Sequence, residues 1–378
     1  MSAAPLPRWA DLVVLPIVNL AVALLAAGVM VWWVGQDPLL VIKVLLDGAF
    51  GTTRGFSYTL YYATTFTFTG LAVAVAFHGG LFNIGGEGQA ILGGLGTGLV
   101  ALWLAPSLPA WVMLPLMLLA GALFGMVWAV VPAYLQAYRG SHIVITTIMF
   151  NFLASSLLVY LLVNHLKVPG NMSVESAAFA ESAKLPSMHA FMAALGVDWP
   201  NSPLNTSVFL ALIAALGVYF LLWHTRLGYQ LRATGANTRA ADYAGIHSRQ
   251  QIMFAMAVSG ALAGMVGMNE VAGVNGRLML EYVSGAGFTG IAVSLMGRSH
   301  PFGIVLASLL FGALFQGGAE VSFEVRGFSR DMVVMLQGFI VLFSGAMAYV
   351  LAPAVSWAVQ GLRGGAAAKA GTQGAGHG

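Results

Sequence analysis

The sequence predicts an all-α, polytopic helical membrane protein with about ten transmembrane helices, and three observations carry that expectation. Of the 378 residues, 59% are hydrophobic and only 8% charged, with a mean hydropathy of +0.84. A soluble domain carries about 25% charged residues, so most of this surface is not meant for water. Apolar runs of about 20 residues recur along the chain, the length a helix needs to cross a hydrocarbon core. The stretches between them are short and rich in glycine, proline and polar residues.

Taken in order, the spans fall at 12–34, 56–77, 88–105, 110–135, 143–163, 206–224, 250–271, 284–298, 301–317 and 331–352. The first follows Arg8 and contains "LLAAG", as a secretory leader would. Its apolar stretch from Leu12 to Val34 exceeds the ~7–15-residue core of a leader, so it is read as a retained helix. The second and third spans are separated by "FHGGLFNIGGEGQ", Phe77 to Gln89. The fifth carries Thr146, Thr147 and Asn151, of which Thr147 and Asn151 share one helix face. A long polar loop, 164–205, contains Pro169, Pro186, Pro200 and Pro203. A second polar stretch runs from Thr225 to Arg249, and Glu270 closes the seventh span. Residues 1–362 read as one transmembrane domain, and the Gly/Ala-rich segment 363–378 as a disordered cytoplasmic tail. Small-residue steps Gly94/Gly98, Gly121/Gly125 and Gly260/Gly264 predict close helix packing.

Charge sets the orientation. With the N-terminus in the cytoplasm, nine basic residues stand against three acidic ones on the inner side, and seven against ten on the outer. The positive-inside rule favours that placement, which puts 164–205 outside and Thr225–Arg249 inside. The small formal charge of +3 does not suggest a nucleic-acid patch.

Several chemistries are excluded or disfavoured. The chain has no cysteine, which rules out disulfides and thiolate chemistry. No lysine follows a glycine, so there is no P-loop and no nucleotide hydrolysis of that kind. "GAGFTG" (Gly285–Gly290) fits G-x-G-x-x-G but follows no strand, and small-residue packing is the better account. The eight histidines are scattered without ligand spacing, so no metal site and no catalytic centre is expected.

The candidates that remain are polar groups in apolar surroundings. In Thr225–Arg249, Asn237 or Thr238 can cap a short helix, "TRAADYA", closed by Gly245. A helix presented there either lies on the bilayer surface or docks into the groove of a partner. In the Phe77–Gln89 motif, five glycines weaken helix continuity while Asn83, Glu87 and Gln89 offer hydrogen-bonding groups. Broken helix in lipid is tolerated where it is buried in protein or lines a watery cavity, and such breaks point to transport pathways. An ordinary turn between two spans reads the same residues equally well. Glu270 and the Thr146/Thr147/Asn151 stripe line a path or satisfy one another.

"GLFNIGGEGQ" (Gly80–Gln89), "GSHIVITTIMFNF" (Gly140–Phe152), "LRATGANTRAADYAGI" (Leu231–Ile246) and "GFTGIAVSLMGRSHPFGI" (Gly287–Ile304) together resemble one family. It is the ABC importer permeases of the branched-chain amino acid and simple-sugar superfamily, in the nucleoside/sugar branch that works with a basic-membrane-protein type receptor. The resemblance implies a permease in a bacterial inner membrane that pairs with a second, paralogous permease subunit. It further implies a cytoplasmic ABC ATPase subunit that binds the ATP, an extracytoplasmic solute-binding protein, and no cofactor of the chain's own. ATPase docking would use Gly235, Asn237, Arg239, Ala241, Asp242 and Gly245. The solute pathway would be formed by Phe82, Asn83, Glu87, Gln89, Thr147 and Asn151. Relatives on the nucleoside side often carry Asn-Glu where this chain has His142 and Ile143, which keeps a related heterocycle or a sugar open as the solute. The rival class is an ion-coupled secondary transporter, which calls for ionisable residues deep inside several spans.

Overall fold

The computed structural model describes residues 15–105, 107–329 and 331–339. Among these, helix dominates and no strand longer than an isolated bridge occurs. The helices are α1 (Leu15–Trp33), α2 (Pro38–Leu46), α3 (Thr53–His78), α4 (Gly86–Leu104), α5 (Ala110–Arg139), α6 (Ile143–Leu161) and α7 (Met188–Ala194). They continue as α8 (Ser207–His224), α9 (Arg226–Ala236), α10 (Thr238–Tyr243), α11 (Ser248–Gly264), α12 (Ala286–Met296) and α13 (Pro301–Glu324). A π-helical stretch, Met268–Asn275, extends α11, so that Ser248–Asn275 reads as one long crossing.

Six helices among the described residues are long and apolar enough to span a bilayer: α3, α5, α6 with its π-helical extension to Leu166, α8, the extended α11, and α13. The expected ten spans are therefore uneven. Glycines dilute the apolar character of α4, and Ala286–Met296 is a short helix rather than a full crossing. The start of the first span, most of the tenth and the tail 363–378 lie outside the described residues.

The chain divides into two compact units. One is Leu46–Gly317; the other gathers the described parts of Met1–Leu45 and Gly318–Gly378, where Gln36 Nε2 donates to the Arg326 carbonyl at 3.1 Å. The candidate site lies in the first.

Its centre is a glycine seam. A Cβ at Gly125 would overlap the Gly260 carbonyl, and one at Gly264 would overlap the Gly121 carbonyl, so α5 and α11 meet backbone to backbone. Gly93 of α4 meets Gly264 in the same way. The predicted close packing of Gly121/Gly125 with Gly260/Gly264 is what forms, whereas Gly94 and Gly98 make room for Tyr282 and Leu278. Where lipid supplies no hydrophobic drive, such close approach lets dispersion hold helices together. The threonines of α3 are poor helix formers, but Thr64 and Thr67 donate back to the Leu60 and Ala63 carbonyls and are thereby satisfied.

At one end of the unit the Pro-containing loop 164–205 folds onto residues 272–279. Bridges join Lys167 to Ser176, Glu175 to Met279 and Ser187 to Asn205, and Leu185 N donates to Ala272 O at 3.0 Å. Arg277 and Glu175 pair at 2.7 Å. At the opposite end, α9 packs beneath the break that follows α3, and α10 packs on α9 and α11.

Candidate functional site

The break begins at His78. The Gly79 N–H still donates to the Val75 and Ala76 carbonyls, Gly80 takes φ +74°, and Leu81 N donates to Ala76 O. The chain then turns back into the bundle. Asn83 Nδ2 donates to Ser259 Oγ at 2.9 Å, and Ser259 Oγ donates to Ala72 O at 2.6 Å. Ala72 precedes His78 by six residues, about 9 Å of helix axis at 1.5 Å per residue. Residues 81–85 are thus a re-entrant, non-helical segment, and α4 starts from inside the protein.

Backbone polar groups at that depth need partners within the chain, and the sequence motif supplies them. Asn83 Oδ1 accepts the Gly85 N–H at 2.8 Å, and Asn83 Nδ2 donates to Gln89 Oε1 at 3.0 Å. From α6, Asn151 donates to Ile84 O at 2.9 Å and accepts the Gly88 N–H at 2.9 Å. Thr147, one turn earlier on the same face, donates to Ile143 O and lies against Gly85. Asn83, Gln89, Thr147 and Asn151 are all buried, at 6% exposure or less. Phe82 and Glu87 are only half-buried.

Glu87 has a separate task. Its two carboxylate oxygens accept the Gly285 and Gly287 N–H groups, each at 2.8 Å. These amides open α12, whose Gly290 sits against Thr69 and whose Val293 sits against Gly70. The start of α12 therefore lies level with the middle of α3, next to the start of α4. Two helix N-termini converge there, and a carboxylate is the group their partial positive charge favours. "GAGFTG" is indeed a packing motif, with Gly287 against Gly86 and Glu87. The sequence reading did not foresee that its amides receive Glu87.

The polar stretch Thr225–Arg249 holds two helices where sequence predicted one. Thr225 Oγ1 accepts the Gly228 N–H to start α9, an element whose only sequence signal was the Leu227/Leu231 spacing after a threonine cap. Gly235 of α9 meets Gly80 backbone to backbone, which ties this helix to the break. Asn237 Oδ1 then accepts the Ala240 N–H at 3.0 Å as the cap of α10, as expected. Gly245, at φ +80°, closes it: Gly245 N donates to Asp242 O and Ile246 N to Ala241 O, the Schellman pattern. Ala241 is buried, whereas Asn237, Arg239, Asp242 and Gly245 are exposed. Asp242 Oδ1 accepts the Ser248 N–H at 3.1 Å, and bonding from the Ser248 side chain, then its backbone, holds the carboxyl below the usual aspartate range.

Glu270 does not close its span. It lies inside the long crossing, 7% exposed, with Tyr61 Oη donating to Oε2 and Thr65 Oγ1 to Oε1, both at 2.5 Å. Asn269 Nδ2 donates to Thr65 Oγ1 at 2.7 Å, and Asn269 Oδ1 accepts from Asn205 Nδ2 and Ser207 Oγ. Ser259, Tyr61, Thr65 and Asn269 were missed by the sequence reading; the available signal was a polar residue set in an apolar run.

Comparison with known proteins agrees with this architecture. A family model described as branched-chain amino acid transport system / permease component matches residues 55–345. The chain is 32% identical to the glucose ABC transporter permease protein of Haloferax volcanii, over 87% of this chain and 86% of that one. It is 35% identical to the guanosine ABC transporter permease protein of Bacillus subtilis, over 84% and 89% respectively. With the nucleoside ABC transporter permease protein of Lactococcus lactis subsp. cremoris it shares 30% identity over 88% and 90%. The chain therefore belongs to the branched-chain amino acid transport system / permease component family, as a multi-pass membrane permease and not an enzyme.

Proposed function

We propose that this permease is a membrane subunit of an ATP-driven importer that carries a nucleoside, a simple sugar or a related neutral heterocycle. The observation that carries the proposal is the near full-length similarity to permeases named for guanosine, nucleosides and glucose. In this reading the chain sits in a bacterial inner membrane with its N-terminus in the cytoplasm and pairs with a paralogous permease. A solute-binding protein delivers cargo to the face roofed by 164–205. ATP is bound and hydrolysed in a separate cytoplasmic subunit.

The pathway runs past the re-entrant segment. Half-buried Phe82 and Glu87 line it, while Asn83, Gln89, Thr147 and Asn151 shape its wall by fixing a backbone that lipid could not accommodate. The ATPase docks on α10, with Asn237, Arg239, Asp242 and Gly245 at the surface and Gly235 and Ala241 underneath. Exposed Tyr243, at 94%, fits an anchor in a partner groove. Support for a docking role comes from the contact of Gly235 with Gly80, since a load on this helix pair reaches the break directly.

The test is co-purification of the permease with a co-expressed ABC ATPase subunit. Replacing Tyr243 and Arg239 together by alanine should abolish recovery of the ATPase while the permease remains in the membrane. Undiminished recovery would refute the docking assignment. Uptake of radiolabelled guanosine or glucose by the reconstituted importer tests the solute class.

A further inference from the structure

We infer that Glu270, with Tyr61, Thr65 and Asn269, forms a solute-contact site inside the membrane that discriminates solutes by their N–H and O–H donors. The inference rests on the permease reading above and names a specificity residue for it.

A carboxylate at this position needs a reason. Glu270 is 7% exposed within a span, and among the described residues no basic side chain pairs with it. Ionisable groups are costly inside a bilayer and tend to mark substrate or ion paths. The backbone around it is also special: Met268–Asn275 is π-helical, a form that recurs at functional sites because it re-aims side chains.

The neighbours suit a cyclic polar guest. Tyr61 and Thr65 lie one turn apart on α3 and both donate to the carboxylate. The adjacent stripe of the same helix carries Tyr62 and Phe66, whose rings meet Phe315 of α13 at 5.8 and 4.8 Å. Phe66 is buried at 2% in the α3–α13 contact, which leaves Tyr62 as the partly open aromatic face beside the acceptor, a composition that suits a planar or hydroxylated ring. Tyr58, Tyr61 and Tyr62 are only partly buried, so the carboxylate lies behind side chains open at the surface of this chain. Asn269 joins the group to Asn205 and Ser207, at the junction between the folded loop 164–205 and α8.

The exchange is simple. Both oxygens of Glu270 act as acceptors, one from Tyr61 and one from Thr65. A solute N–H or O–H can replace Tyr61 or Thr65 on Glu270, and the released hydroxyl can then bond a solute acceptor.

The test uses the complete importer with its receptor and ATPase in proteoliposomes. Uptake is measured for guanosine against inosine and for glucose against galactose, each pair differing in its donor pattern. For Glu270→Gln the expected result is a shift of at least about fivefold in the ratio within the transported pair, with ATPase co-purification retained. Tyr61→Phe should move the ratio in the same sense, and it decides the matter if Glu270→Gln fails to assemble. Unchanged ratios, including equal slowing of both members of a pair, overturn the inference and leave the permease reading standing. If the wild-type importer transports none of the four probes, the proposed solute class is wrong and this inference falls with it.

Discussion

Replacing Glu87 by glutamine removes one of the two oxygens that hold the start of α12. The wild-type carboxylate receives the Gly285 and Gly287 N–H groups at 2.8 Å each. A hydrogen bond to a charged group contributes about 1.5–3 kcal/mol, and a charge at a helix start adds about 0.3–1 kcal/mol. Glutamine keeps one acceptor and loses the charge. Because Glu87 is half-buried, the lower end applies, near 2 kcal/mol by the same figures. At 1.36 kcal/mol per factor of ten, local opening of the α12 start becomes roughly 30-fold more frequent. Hydrogen–deuterium exchange of the purified protein in detergent reads this directly in peptides covering 283–290. Peptides across the α5–α11 seam serve as the reference and should not change. Protection of 283–290 within about twofold of wild type would refute the argument that Glu87 acts as the cap of α12.

Two further expectations concern the loop helices. Gly235→Val places a branched side chain where a Cβ already overlaps the His78 carbonyl and the Gly80 amide. Overpacking of this kind costs about 1–3 kcal/mol, so the variant should unfold at lower temperature in a fluorimetric melt, and an unchanged melting point would contradict the contact. The Asp242 carboxyl is held below its usual range chiefly by Ser248. A depressed carboxyl stabilises the fold above its unfolded-state value, and that contribution is lost as pH falls through the lowered one. The α10–α11 junction should therefore stay protected at neutral pH and loosen only below about pH 4. Asp242→Asn should abolish that pH dependence, which pH-resolved proteolysis at Arg239 and Arg249 would detect.

The legible and illegible parts of this protein differ for a physical reason. Hydropathy located the six long crossings because it sums over many residues, and Asn237 with Gly245 bounded α10 because caps are local. The Phe77–Gln89 motif announced a break but not its direction: whether residues 81–85 turn outward or re-enter depends on Ser259 and Asn151, far away in sequence. The same holds for Glu87, whose partners Gly285 and Gly287 are about 200 residues distant. Glu270 was placed at a span end because hydropathy falls there. The π-helical stretch continues the crossing instead, a local rise in residues per turn that no composition signal marks. The helix α9 was missed because Gly228 and Gly235 weaken its propensity, although both are required where it passes Leu221 and Gly80.

The glycine seam carries a consequence for how the molecule can move. Where Gly121 and Gly125 lie on Gly260 and Gly264, there are no side chains to change rotamer. Shear between packed helices normally proceeds through small rotamer adjustments at their interface. Sliding α5 along α11 by even a fraction of a turn would drive Cα atoms into carbonyl oxygens. These two helices, with α4 joined through Gly93, therefore behave as a stator. Rearrangement during a transport cycle then falls to the joints made of exchangeable hydrogen bonds, where Asn83 meets Ser259 and Glu87 meets α12.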